Sequence, residues 1–369
     1  MAKIRVLIVD DSVVIRRLLT DELNKDPDIE VVGSAATGKI ALSKIEQTPP
    51  DVVTMDIEMP EMDGLTAVSE IRKKNTRLPI IMFSTLSQRA ARETLEALAR
   101  GANDYVTKPS NVGSAALAIQ RVREELLPKI KHLAQTHSGL SHSPPAPRIS
   151  SPNSLTVPAK GKSKSDRVDI VAIGVSTGGP NALAEVLPGI PKGFPVPIVI
   201  VQHMPPVFTK CLGERLSTKC QLPVAEGQPG DRVVPGSIWI APGDYHMTVK
   251  RSGAEVVLAM NQDPPENSCR PAVDVLFRSV SQLYGPAVLA VVLTGMGQDG
   301  MRGAEVIREH GGAVFAQDEA SSVVWGMPGA VVHAGLADKI LPLSQVAGEI
   351  VRKVQAGRSP VFHPQPVTV

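Results

Sequence analysis

Three residues, far apart in the chain, have the types that acyl transfer to a serine requires. Ser176 stands in DIVAIGVSTGGP, residues 169–180, where an apolar run too short for a helix breaks at a glycine-rich turn before the helix-like NALAEVL. A serine on such a strand-to-helix turn is lifted clear of the sheet, and the free N–H groups of the next helix point at any negative charge beside it. GVSTG also fits the G-x-S-x-G pattern of a nucleophile elbow, although such a turn can equally cradle a phosphate or simply bend the backbone. His203 follows the apolar run PIVIVQ, and Asp299 follows PAVLAVVLTGMGQ. A hydroxyl becomes a nucleophile when an imidazole takes its proton, and a carboxylate must orient that imidazole. The three residues fit the roles of nucleophile, general base and orienting acid. Each also has a plain reading, His203 as a core histidine and Asp299 as a helix cap before MRGAEVI. The order Ser, His, Asp differs from the Ser, acid, His order of α/β-hydrolases, which argues against an ordinary lipase or esterase.

A second group of residues could handle phosphate. Asp10 and Asp11 end the run IRVLIV, Asp56 ends DVVTM, Ser84 and Thr85 end LPIIMF, and Lys108 follows DYVT. Three carboxylates at one sheet edge repel one another unless a cation sits among them, and hard oxygen ligands suit Mg²⁺. A carboxylate beside that ion can attack a phosphoryl donor, with a hydroxyl and an ammonium nearby to hold the resulting oxygens. Helix capping explains any one of these aspartates but not the whole set at four strand ends.

The pattern of the chain indicates what holds these residues. Residues 1–125 alternate five strand-like with five helix-like stretches, the last near AALAIQRVREELL. That predicts an α/β domain with a parallel, doubly wound, flavodoxin-like sheet and a site at the strands' carboxyl ends. Residues 126–165 turn to Ser, Pro, Gly and Lys and predict a flexible linker, into which EELLPKIKHLAQ could extend the preceding helix. His132, His137 and His142 recur along it and read as solvated rather than as a metal site. Residues 166–357 predict a second doubly wound, mainly parallel α/β domain, Rossmann-like with an antiparallel hairpin. There DIVAIGVS, PIVIVQH and PAVLAVVLTG read as strands. SIWIAP and HMTVKRSGAEVVLAM read as antiparallel strands turning at Ser252-Gly253, and PAVDVLFRSVSQLYG, MRGAEVIREHGG and ADKILPLSQVAGEIVRKVQAG as helical. Ser176, His203 and Asp299 are then expected at strand ends on one sheet edge. Residues 358–369 read as a disordered tail.

Composition narrows the function classes. A net charge of +2 and 3% aromatic residues disfavour nucleic acid as the main partner. No apolar run reaches membrane-spanning length, so membrane insertion is not expected. The opening MAKIRVLIVDD reads as a strand rather than a leader, and Cys211, Cys220 and Cys269 form no CxxC pair. A cytoplasmic protein is the expectation.

VDDS at 9–12, MDIEMPEMDG at 55–64, FST at 83–85 and YVTKP at 105–109 resemble the receiver domain of two-component response regulators. The resemblance implies that Asp56 is the phosphoacceptor and that Asp10, Asp11, Asp56 and the backbone of Glu58 hold Mg²⁺. It also implies that Ser84 or Thr85 is the switch hydroxyl, Lys108 the phosphate-sensing cation and Tyr105 the aromatic that moves with them. Further on, GVSTGGP, VQHMP, APGDYHM, RPAVDVLF, TGMGQDG and QDEASSVVWGMP closely resemble the chemotaxis response-regulator protein-glutamate methylesterases. That resemblance implies a phosphorylation-activated serine hydrolase that demethylates glutamate methyl esters on chemoreceptors and deamidates receptor glutamines. Ser176, His203 and Asp299 would be catalytic, with backbone N–H groups near Thr177 and Met296 as oxyanion donors. Mg²⁺ would serve only the receiver, with no cofactor for the ester reaction. The partners would be a histidine kinase as phosphodonor and methyl-accepting chemoreceptors as substrate. Two other readings are weaker. A Rossmann oxidoreductase lacks the spaced G-x-G-x-x-G and an acidic end to its second strand. A DNA-binding regulator lacks a basic recognition helix after the linker.

Overall fold

A computed structural model describes residues 3–108, 119–120, 122–137 and 167–358. Pro109, His142, most of the expected linker and nearly all of the expected tail lie outside the described residues. In the first domain β1 (Ile4–Val9), β2 (Ile29–Ala35), β3 (Val52–Asp56), β4 (Ile80–Ser84) and β5 (Asp104–Thr107) alternate with α1 (Val13–Leu23), α2 (Gly38–Gln47), α3 (Gly64–Lys74) and α4 (Gln88–Ala99). The strands form one parallel sheet in the order β2-β1-β3-β4-β5. Every residue of β3 and β4 is buried, as a strand covered by helices on both faces must be. Ser12, Thr37, Asp63 and Ser87 cap the four helices by accepting main-chain N–H groups, which fixes each loop at the carboxyl edge.

A π-helical turn, Val122–Leu126, then leads into α5 (Leu127–His137), so helix occupies the first part of the segment expected as linker. Leu126, Ile130, Leu133 and Ala134 supply its buried stripe. His132 is half-buried rather than solvated, and burial lowers its pKa.

The second domain runs β6 (Ile170–Val175), α6 (Gly179–Val186), β7 (Ile198–Gln202), α7 (Phe208–Ser217), β8 (Val224–Glu226), β9 (Ile238–Ile240), β10 (His246–Ser252) and β11 (Glu255–Asn261). It continues with α8 (Val273–Tyr284), β12 (Val288–Val292), α9 (Met301–Glu309), β13 (Ala313–Gln317), α10 (Met327–His333), β14 (Lys339–Leu341) and α11 (Leu343–Ala356). Seven strands make a parallel sheet in the order β14-β13-β12-β6-β7-β9-β8, and β10 with β11 make the separate antiparallel hairpin. The SIWIAP stretch departs from expectation, because β9 runs parallel to both β7 and β8 inside the main sheet. Its Ile238 and Ile240 are buried, and that pairing puts them in the main core rather than on the hairpin. From β6 the chain first builds β7 on one side and later returns to place β12 on the other. The crevice above β6 and β12 is thus the sheet's topological switch point, where such sheets place their sites. Among the described residues no helix is long and apolar enough to cross a membrane.

Candidate functional site

Ser176 and His203 arrive side by side because their strands are in register: Val175 pairs with Gln202, and each residue of interest comes next. His203 N–H donates to the Val175 carbonyl at 3.1 Å, and Gln202 Nε2 donates to the carbonyls of Ser176 and His203 at 2.9 and 3.3 Å. Gly178 takes φ +77° between the serine and α6, a left-handed turn that a side chain would strain. At Gly295 an added Cβ would stand 2.8 Å from Ser176 Cβ, so main chain after β12 closes directly on the serine.

Asp299 does not end β12 but sits seven residues beyond it, at the start of α9. It is 2% exposed, and its Oδ2 accepts from His203 Nε2 at 2.8 Å and from Val273 N–H at 2.7 Å. Oδ1 accepts from the N–H groups of Asp274 and Gly300, both at 3.0 Å, and from Asn267 Nδ2 at 2.9 Å. Two of these donors open α8, whose N-terminus favours a carboxylate. Burial works to raise the Asp299 pKa, yet the bonds from His203 and the main chain outweigh it and hold it below the ordinary value.

The Asp299 contact fixes the tautomer of His203. With Nε2–H donated to Asp299, Nδ1 is the nitrogen left to accept a proton. Cys269 Sγ lies 3.5 Å from that Nδ1, while the Ser176 hydroxyl makes no hydrogen bond among the described residues. Burial works to lower the His203 pKa, but Cys269 and Asp299 more than offset it and raise it to about 10. Neither the Thr177 nor the Met296 N–H has a main-chain acceptor among the described residues, which leaves both donors free.

In the first domain Asp10, Asp11 and Asp56 place one carboxylate oxygen each within 4.8 Å of one another. Lys108 Nζ reaches Asp10 Oδ2 at 2.8 Å and Asp56 Oδ2 at 2.7 Å. Asp10 Oδ2 is buried with no partner of hydrogen-bond geometry, meeting Lys108 only as an ion pair. One ammonium against three carboxylates leaves a surplus of negative charge, and the set fits a hard divalent cation. Burial raises Asp56 to about 6 even though Lys108 pulls the other way. Ser84 is buried with its Oγ 2.8 Å from Thr94 Oγ1, whereas Thr85 is exposed. The Glu58 side chain is exposed and lies 3.8 Å from Arg89.

The two sites meet through a packed interface. Tyr105 stacks on Phe208 at the start of α7, ring centroids 4.9 Å apart and 6° from parallel. Its neighbour Asp104 accepts from the Thr177 hydroxyl at 3.0 Å, in a buried contact that Lys129 joins at 2.6 Å from Asp104. Arg92 pairs with Glu214 at 3.1 Å, Arg215 with Glu96 at 2.9 Å, and Asn181 Nδ2 donates to the Leu98 carbonyl. Val122, Leu126 and Ile130 share one apolar cluster with Val323, Val324 and Met296, so the helix that follows the first sheet packs over the edge beside Ser176. The motifs named Thr177, Tyr105 and Met296. They gave no signal for Asn267, Cys269 or Lys129, which reach the sites only through tertiary contacts.

A five-stranded parallel domain with an Asp-Asp-Asp-Lys cluster, docked on a seven-stranded α/β domain, defines a two-domain response regulator. The family description "Response regulator receiver domain" matches residues 6–120, and "CheB methylesterase" matches residues 171–350. A protein-glutamate methylesterase/protein-glutamine glutaminase of Trichodesmium erythraeum is 54% identical over 354 residues, 96% of this chain and 100% of that one. A protein of the same name from a Nocardioides species is 51% identical over 358 residues, 97% of each chain. The crystal structure of the Thermotoga maritima CheB methylesterase catalytic domain is 43% identical with a TM-score of 0.49, covering 50% of this chain and 98% of that one. The chain belongs to the CheB methylesterase family, with a receiver domain at its front.

Proposed function

We propose that this chain hydrolyses glutamate methyl esters on chemoreceptors, and deamidates receptor glutamines, through Ser176, His203 and Asp299. The observation that carries the assignment is the 2.8 Å bond between His203 Nε2 and Asp299, made where β6 and β7 set Ser176 beside His203. Ser176 Oγ attacks the ester carbonyl while His203 Nδ1 takes its proton. The tetrahedral oxyanion is met by the N–H groups of Thr177 and Met296, and methanol leaves with the proton returned from Nδ1. Water, activated by the same nitrogen, then cleaves the acyl-enzyme and frees the glutamate. With glutamine the leaving group is ammonia. Since Cys269 occupies Nδ1 in this arrangement, the serine has still to replace the thiol before His203 can take its proton.

Asp56 is the proposed phosphoacceptor, and a histidine kinase of a chemotaxis-type system the donor. Asp10, Asp11, Asp56 and the Glu58 carbonyl would hold Mg²⁺, which when bound neutralises charge on the phosphoryl group. Ser84, rather than the exposed Thr85, has the buried position of a switch hydroxyl. Control follows from docking. Tyr105 packs on Phe208, and Asp104 takes the hydroxyl of the residue next to the nucleophile. A change around Lys108 and Tyr105 therefore bears directly on the esterase edge. These reactions would take place in the cytoplasm.

The expected result is that a small phosphodonor with Mg²⁺ stimulates methanol release by the full chain and leaves Asp56→Ala at its basal rate. A tenfold rise requires roughly 1.4 kcal/mol less docking energy in the phosphorylated state. Arg92→Glu opposes Glu214 across the interface and should raise the basal rate about two- to fivefold, as expected for a pair this exposed. Adding Glu214→Arg should bring it back. A basal rate unmoved by Arg92→Glu would contradict inhibition by docking.

A further inference from the structure

We propose that Asn267 is a positioning residue that bridges the Asp299 carboxylate to the buried Asp274 carboxylate and so holds His203 in line. The inference rests on the reading of Asp299 as the orienting acid. Two carboxylates converge at the start of α8: Asp274 is 1% exposed and Asp299 is 2% exposed. Asp274 Oδ1 accepts from Gly303 N–H at 2.6 Å, and its Oδ2 accepts from Asn267 Nδ2 at 2.9 Å. The same Nδ2 donates to Asp299 Oδ1 at 2.9 Å. An amide nitrogen carries two hydrogens, so one Asn267 serves both acids at once. Among the described residues Asp299 has five donors, three of them main-chain groups, and the side chains are His203 and Asn267 alone. Asn267 is therefore the side-chain counterweight to the imidazole, on the opposite oxygen.

The backbone offers a rival explanation for an asparagine here. Asn267 and Ser268 have φ of +53° and +61°, and Glu266 and Cys269 exchange N–H···O bonds of 3.1 and 2.9 Å around them. This is a two-residue turn of the kind that favours asparagine or glycine for its backbone alone. A glycine at 267 separates the two explanations, since it suits the turn but carries no amide. The charged and titratable groups around the acid pair are His203, Glu266, Arg278 and His246, with Cys269 beyond the imidazole. Burial is the main cause that raises Asp274 to about 6, with Asp299 and Glu266 adding to it while Gly303 N–H and Asn267 oppose it. Without the amide, uncompensated negative charge grows beside His203. The imidazole then holds its proton more tightly, and because it must be neutral to act as base, the acid limb of the pH–rate profile moves to higher pH.

The test uses the full chain, measuring methanol release from methylated receptor membranes between pH 6 and 11 by wild type, Asn267→Gly, Asp274→Asn, the double variant and Asp299→Asn. Phosphorylation of Asp56 and the thermal midpoint serve as folding controls. Asn267→Gly is expected to lose at least tenfold in kcat with KM little changed and to shift its acid limb upward. Asp274→Asn, which removes the second charge, should restore part of both in the double variant. Wild-type kcat and pH profile in Asn267→Gly, with Asp299→Asn inactive, would overturn the bridge while leaving the triad intact. A loss of rate with neither a pH shift nor rescue by Asp274→Asn would make Asn267 merely structural and also overturn it. An active Asp299→Asn would instead bring down the acid assignment itself, and the bridge with it.

Discussion

Ser176→Ala is expected to abolish methanol release from methylated receptors while leaving Mg²⁺-dependent phosphorylation of Asp56 at the wild-type level. Removal of a serine nucleophile from a working triad costs about a millionfold in kcat. The two activities should separate because Ser176 lies on the turn after β6 and Asp56 at the end of β3, in sheets that share no strand. The substitution removes one hydroxyl that has no hydrogen-bond partner among the described residues, so the fold should not suffer. Release of even a tenth of the wild-type methanol by Ser176→Ala would contradict the assignment.

The second large effect belongs to Asp299→Asn, for which a loss on the order of 10³–10⁴-fold in kcat is expected at neutral pH. An amide at this position cannot accept on both sides. Asp299 takes five donors, and His203 Nε2–H is the one whose loss lets the ring adopt the wrong tautomer. If Nδ1 keeps the proton, it cannot receive the one from Ser176. Rate measurements from pH 6 to 10 check this. Two other aspartates stand nearby in sequence or motif, and neither replaces Asp299. Asp274 bonds Gly303 and Asn267, and Asp318 bonds the Ser321 N–H and hydroxyl. Activity of Asp299→Asn within tenfold of wild type would contradict its role.

What could be read from the sequence were residues immediately after strong apolar runs. IRVLIV, DVVTM, IVAIGV and IVIVQ are strands buried along almost their whole length, and parallel sheets expose their chemistry at the ends of such runs. For that reason Asp10, Asp56, Ser176 and His203 were legible. Val224–Glu226 is too short to carry a periodicity and was silent, whereas Lys339–Leu341, expected as part of the last helix, is a three-residue strand paired parallel to β13, and the helix begins only at Leu343. SIWIAP read as antiparallel because it directly precedes the hairpin, although its pairing is decided by the buried edge of β7. The extent of the last receiver helix was obscured by Pro128. In the folded chain the π-turn over 122–126 ends just before that proline, whose missing N–H would break a regular ladder, and the apolar stripe continues to Ala134. Asn267 and Cys269 stayed hidden for a different reason. Nothing local distinguishes a polar turn that reaches the His203 imidazole from one that merely joins a strand to a helix.

Ser176, and not the neighbouring thiol, is expected to carry the acyl group. Cys269 Sγ lies 3.5 Å from His203 Nδ1, the nitrogen the proposed mechanism gives to the Ser176 proton, so a serine and a thiol would compete for one base. Acid quenching of the full chain during turnover of a methyl-ester receptor peptide, followed by proteolysis and mass spectrometry, locates the covalent intermediate. An acyl adduct is expected on the peptide containing Ser176, lost in Ser176→Ala and retained in Cys269→Ala. An adduct on Cys269, with methanol still released by Ser176→Ala, would contradict this expectation.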